Sequence, residues 1–165
     1  MEKKSLELTV KYASMFTDDN NRMKIAFKFD EKFEARKVNK TTGEFVIKDD
    51  NELSFTKKQF IYNLQENFVS NIVATNIMFE HILSLQLLGM FKGVKLTIDR
   101  TRLEEGDTYL DINGDEQIAD GTAFLTELKD IEFTEDNIKA IKSTILSQTK
   151  DEDKDKVRDM LEIVL

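Results

Sequence analysis

The chain has 165 residues, 40% of them hydrophobic, and carries 24 Lys/Arg against 32 Asp/Glu for a net charge of −8. That suits one ordinary domain with a real core and excludes wholesale disorder. Cysteine is absent, which excludes disulfides and thiolate metal sites.

The first residues, Met1 to Leu6, run straight into alternating polar and apolar positions, without the apolar run a signal peptide needs. The expectation is a soluble cytoplasmic protein. Leu6, Leu8, Val10 and Tyr12 alternate with Glu7, Thr9 and Lys11, a period-two pattern that predicts a half-buried strand. Thr17 to Asn21 is a turn cluster. Met23, Ile25, Phe27 and Phe29 then form one face of a second strand, and the odd-numbered pattern resumes at Phe33 and Ala35, so this strand is read as long and bent. Asn39 to Gly43 reads as a hairpin connection. Glu44 to Lys48 is a third strand, ended by Asp49-Asp50-Asn51.

Thr56-Lys57-Lys58-Gln59 fits a capping box, with a hydroxyl at the cap and Gln three residues on. Apolar residues at helical spacing follow from Phe60 to near Gly89, predicting a long helix, single or broken near Asn67 to Asn71. Its oiliest part, Phe68 to Phe91, is interrupted by Asn71, Asn76, Glu80, His81 and Gln86. Those groups are costly in lipid, so the segment is read as buried and not membrane-spanning. Val94, Leu96 and Ile98 alternate with Lys95, Thr97 and Asp99 as a fourth strand. Asn113-Gly114 marks a hairpin within Tyr109 to Ala119, and Thr122 to Phe133 is a further strand. Thr134 caps a helix with Glu135 and Asp136 in its first turn, where acids suit the helix dipole. Ile138, Ile141 and Ile145 form its stripe, expected to dock on the sheet. Beyond the charged run from Lys150 to Lys156, Val157, Met160, Leu161 and Val164 form a second stripe. It is read as free to bind a second copy or a partner protein.

No motif assigns catalysis. His81 is the only histidine, so no zinc or triad site can be built around a second one. Asp111 to Asp120 resembles an EF-hand calcium loop, but the sixth position is Glu116 where glycine is needed and the twelfth is Thr122 where a carboxylate closes the site. It is read as a plain hairpin. No phosphate-cradling glycine loop, metal site or cofactor is expected.

Charge is uneven. Residues 1–60 hold 13 Lys/Arg against 11 Asp/Glu, and residues 101–165 hold 8 against 18. Lys24, Lys28 and Lys32 are spaced by four on the second strand, on the face opposite Ile25, Phe27 and Phe29, and Arg36, Lys37 and Lys40 continue toward the hairpin. A cationic face on a curved sheet can track a nucleic-acid backbone, with Phe33, Phe45 and Tyr12 nearby as candidate stacking surfaces. Lysines on a strand's solvent face also guard against aggregation, so a merely solvated face is the competing reading.

The order strand, strand, strand, helix, strand, hairpin, strand is that of the OB-fold. The stretch Gly93 to Ile98, with Gly106-Asp107-Thr108-Tyr109 and Thr126 to Ile131, resembles the last two strands of small phage and plasmid single-stranded DNA-binding proteins. The resemblance is topological and covers about residues 5–133. It implies an α+β protein with an OB-like antiparallel β-barrel over residues 1–133, a long helix between strands 3 and 4, and an acidic helical extension over 134–165. It also implies non-catalytic binding of single-stranded DNA on the face of strands one to three. The alternative is a small acidic adaptor or inhibitor that binds another protein, such as a phage anti-defence protein.

Overall fold

A computed structural model describes residues 2–60, 62, 89–111 and 113–164. It is α+β: a five-stranded antiparallel sheet, a separate two-stranded hairpin and two C-terminal helices. Most of the expected long helix, with His81, lies outside the described residues. Its start is described: residues 57–60 are helical, and Thr56 Oγ1 accepts the Gln59 amide at 3.1 Å.

The strands are β1 (Glu2–Thr17), β2 (Met23–Val38), β3 (Phe45–Thr56), β4 (Lys95–Leu103), β5 (Thr108–Leu110), β6 (Glu116–Ile118) and β7 (Ala123–Glu132). The large sheet runs β3-β2-β1-β4-β7. Three strands in succession, with a fourth returning beside the first, make a Greek key. The turns form where the sequence has residues suited to left-handed backbone. Asn21 sits at φ 61° after β1, Gly43 at 73° after β2 and Gly114 at 82° between β5 and β6.

β1 joins two halves. Glu2 to Thr9 pairs with β4, and Val10 to Thr17 pairs with β2. At the changeover the Val10 amide donates to Val94 O at 2.8 Å, and the Gly93 amide donates to Val10 O at 2.8 Å. β2 bends at the same level. Between Lys28↔Glu52 and Phe33↔Asp50 it holds three more residues than β3 does. The Asn51 amide group reaches into this bulge, donating to Phe29 O at 3.1 Å. That is why Asp49-Asp50-Asn51 does not end β3 as expected: the polar run lies opposite the bulge, where its side chains replace ladder bonds. Glu31, in the bulge, accepts from the Thr9 amide at 2.6 Å and the Thr9 hydroxyl at 2.7 Å.

The barrel expectation is corrected. β3 and β7 are edges of an open sheet, and no ladder joins them. Side chains occupy the seam. Arg100 on β4 donates from Nη1 to Glu34 O on β2, and Arg36 Nη1 lies 3.8 Å from Asp120 Oδ1 just before β7.

The inner face of the sheet packs on the helices around phenylalanine. The Phe27 ring contacts those of Phe29, Phe55, Phe60 and Phe91 at 5.3–6.3 Å. Helix α1 (Glu135–Gln148) starts in a reciprocal cap: Thr134 Oγ1 accepts the Asn137 amide at 3.0 Å, and Asn137 Oδ1 accepts the Thr134 amide at 3.2 Å. Ile141 and Ile145 are fully buried in the core. Helix α2 (Lys154–Val164) adds Val157 and Leu161 to the same cluster. These two side chains are therefore covered by the protein's own core, which corrects the reading of the second stripe as free for a partner. The side chains of Met160 and Val164 lie outside the described residues. Residues 134–165 are also less acidic than expected, with 8 Asp/Glu against 6 Lys/Arg, whereas residues 103–122 hold 7 Asp/Glu and no Lys/Arg. The acidic element is the β5–β6 hairpin region. Among the described residues no helix is long and apolar enough to cross a membrane.

Candidate nucleic-acid interface

β2 buries Ile25, Phe27 and Phe29, and the alternating positions Lys24 and Lys28 lie half-buried on its other face with Ala26, itself 8% exposed, between them. Register then dictates their neighbours. Tyr12↔Lys28, Ser14↔Ala26 and Phe16↔Lys24 are directly opposed on β1, and Glu52, Ser54 and Thr56 complete the rows on β3. Directly opposed residues share a face. The result is two rows, each led by an aromatic ring beside a lysine. Between them lies a row of small residues, Ser14, Ala26 and Ser54.

Tyr12 is 52% exposed and Phe16 43% exposed. About half of each residue is left in solvent, so both present ring surface to a ligand. Four residues of strand separate them by about 13 Å, enough for two separate stacking positions. Lys28 Nζ sits 5.7 Å from the Tyr12 ring centroid. Lys24 Nζ is 3.8 Å from Asp18 Oδ2. The Asp18 carboxyl is held below its ordinary value, first by the Arg22 backbone amide and further by the Asn20 amide and the Arg22 side chain.

The remaining predicted residues divide. Lys32 and Lys40 are exposed. Lys37 pairs with Asp50, whose carboxyl burial would raise; the hydrogen bonds from Lys37 and the Asn51 amide outweigh that and hold it low. The Arg36 guanidinium lies 3.2 Å from the centroid of the Phe45 ring, which is itself 56% exposed. Phe33 is corrected as a stacking residue. It is 6% exposed, edge-on to Phe29, and belongs to the core.

Sequence reasoning missed Phe16 because it ended the first strand near Tyr12. The signal was present: Tyr12, Ser14 and Phe16 continue the period of two. It also missed a cleft of about 250 Å³ at the seam, with Arg100, Arg102, Phe124 and Lys4 among its lining residues. Arg100 is 8% exposed, and a buried arginine leaves no periodic trace. Burial lowers the proton affinity of its guanidinium, partly offset by Asp50 and Glu34.

Asp111 to Asp115 forms the connection of the β5–β6 hairpin. The Asp111 carboxylate accepts the Asn113 and Asp115 amides at 2.9 and 3.0 Å. Among the described residues no group of three or more His, Asp or Glu side chains is placed to hold a metal ion. No protein-family model matches the chain, and no curated protein sequence matches it.

Proposed function

We propose that this protein binds single-stranded DNA, without base specificity and without catalysis, across the outer face of β1, β2 and β3. The observation that carries this reading is the pairing of exposed Tyr12 with Lys28 and exposed Phe16 with Lys24 on either side of the Ser14–Ala26–Ser54 row. Aromatic faces stack bases of any sequence, and adjacent ammonium groups meet the phosphates. In the row between them Ser14 and Ser54 are exposed and flank the buried Ala26, so no bulky side chain separates the two rings. The Greek-key order of the strands, in an open sheet and not a barrel, is the part of the resemblance to phage and plasmid single-stranded DNA-binding proteins that supports this reading. Fluorescence anisotropy with labelled oligo-dT and with duplex of equal length tests it. Oligo-dT should bind more tightly, and Tyr12→Ala or Phe16→Ala should each weaken binding by about 1–3 kcal/mol. No binding at low salt and micromolar protein removes the proposal.

A second reading, a protein-binding adaptor or inhibitor, is favoured by a different patch. Val38, Phe45 and Ile47 are exposed at the β2–β3 hairpin, beside an edge strand able to pair with another chain. Under that reading Phe45→Ser and Ile47→Ser abolish partner capture, while Tyr12→Ala and Phe16→Ala leave it intact.

A further inference from the structure

The seam cleft holds a cation with which no carboxylate among the described residues forms an ion pair. Arg100 is buried on β4. Its Nε donates to Thr126 Oγ1 at 3.3 Å and its Nη1 to Glu34 O. Among the described residues no carboxylate lies within 4.0 Å of the guanidinium, and Nη2 donates to no protein acceptor. The group also lies over two rings, 4.8 Å from the centroid of Phe33 and 4.5 Å from that of Phe124, which fixes the plane of its fork. A guanidinium fixed in this way is pre-organised to hold an oxyanion.

Among the side chains that line the cleft, four are cationic (Lys4, Lys32, Arg100 and Arg102) and three anionic. Three carboxylates line the cleft: Glu2, Glu34 and Asp49. Glu2 is 3.7 Å from Lys4 Nζ, and Glu34 is 3.7 Å from Arg102 Nη1, a guanidinium that Glu104 also holds through Nε at 3.0 Å. Asp49 is the third, and Asp50, held by Lys37, adds its field to that of Glu34 at Arg100. Lys32 is exposed at the cleft and pairs with no carboxylate among the described residues. Buried charge is normally paired or neutralised, and here the missing partner has room to enter from solvent.

We propose that this cleft is a phosphoryl-binding site, in which Arg100 and Lys32 hold the oxyanion of a phosphate ester. The same chemistry can arrive as a free nucleotide or as the terminal phosphate of a nucleic-acid strand. The site is separate from the β1–β3 face, so it stands or falls independently of the sheet-face proposal.

The test is an NMR titration of the ¹⁵N-labelled full chain, following the Arg100 Nε–Hε signal, with inorganic phosphate, thymidine monophosphate and acetate. Phosphate should move the signal saturably in the millimolar range, and acetate should move it far less. Lys32→Ala, at an exposed position, should weaken phosphate roughly tenfold, the loss of one charge-assisted contact, with an unchanged far-UV spectrum. Arg100→Lys should weaken it further; if that variant fails to fold, Lys32→Ala still decides. A further arm compares oligo-dT with and without a 5′-phosphate. Tighter binding of the phosphorylated strand, lost in Lys32→Ala, identifies the strand end as the source. Tighter thymidine monophosphate with no such strand difference identifies the free nucleotide. An Arg100 signal unmoved by phosphate, or moved equally by acetate, overturns the assignment, whether or not oligo-dT still binds the sheet face.

Discussion

Glu31 is the residue whose removal should most cleanly expose how the two halves of the sheet are joined. Thr9 is the last residue of β1 paired with β4, and on its other side β2 has bulged away, so the Thr9 amide on that side has no ladder acceptor. Glu31 supplies one at 2.6 Å and takes the hydroxyl at 2.7 Å. Glu31→Ala removes two charge-assisted hydrogen bonds and leaves a half-buried amide that water can only partly satisfy. The expected cost is about 1.5–3 kcal/mol, or roughly 4–10 °C in Tm for a chain of this size. Glu31→Gln keeps an acceptor for the amide and a donor for the hydroxyl, and should cost under about 1 kcal/mol at neutral pH. The pH dependence separates the two causes. Burial alone would raise the Glu31 carboxyl, but the Thr9 amide and hydroxyl, helped by Lys95, outweigh it and hold it below the ordinary 4.5. A carboxyl depressed in the folded state contributes its full stability above pH 4.5 and loses it as pH falls toward the lower folded value. Thermal melts between neutral pH and pH 3 should therefore show an acid-labile increment in the parent chain that Glu31→Gln lacks. A Glu31→Ala melt indistinguishable from the parent, or an acid limb identical in Glu31→Gln, would refute the clamp.

Leu161→Ala should cost about 2–4 kcal/mol in chemical denaturation because that side chain is 4% exposed within the core cluster; a loss below about 0.5 kcal/mol would return α2 to the role of a loosely held appendage. Millimolar calcium should leave the melting temperature unchanged, since the Asp111 carboxylate is already used by the Asn113 and Asp115 amides; a clear rise would reveal a ligand that prefers the folded state.

Period-two and period-3.6 patterns carried most of the fold. The alternation from Leu6, the odd-numbered phenylalanines of β2 and the Asn113-Gly114 turn each correspond to an element now seen. What the patterns could not carry is where one strand changes partners. Nothing in Thr9-Val10 or Glu31-Lys32 marks a switch, because a bulge costs one or a few residues and leaves the alternation intact on either side. For the same reason the closure of the sheet was illegible. Arg100 and Arg36 bridge the seam between β2 and the β4–β7 side, and long-range side-chain bridges leave no local signal. Lys32 lies in the bulge of β2 and lines the seam cleft, whereas Lys24 and Lys28 were legible as sharing a face. Their partners were not, since Asp18 and Asp50 reach Lys24 and Lys37 through turn and register geometry.

The charge distribution bears on how an acidic chain can hold a polyanion, and it yields the sharpest check on the proposed interface. Residues 103–122 carry 7 Asp/Glu and no Lys/Arg, so the protein as a whole repels DNA, and screening over about 8–10 Å at physiological salt is what confines that repulsion to close approach. On the face itself only Lys24 and Lys28 stand beside the exposed rings, and Lys24 shares Asp18. Two phosphate contacts to a single strand predict a log–log salt slope of only about −1.4. Stacking on Tyr12 and Phe16 must then supply most of the affinity, at about 1–3 kcal/mol per base. In anisotropy titrations across salt, the double variant Tyr12→Ala/Phe16→Ala should lose most of the binding at every ionic strength. Lys24→Gln/Lys28→Gln should chiefly flatten the slope toward zero. If instead the lysine pair abolishes binding and the aromatic pair leaves it intact, the ligand is held by charge alone, and the face is a solvated sheet surface that happens to attract phosphate.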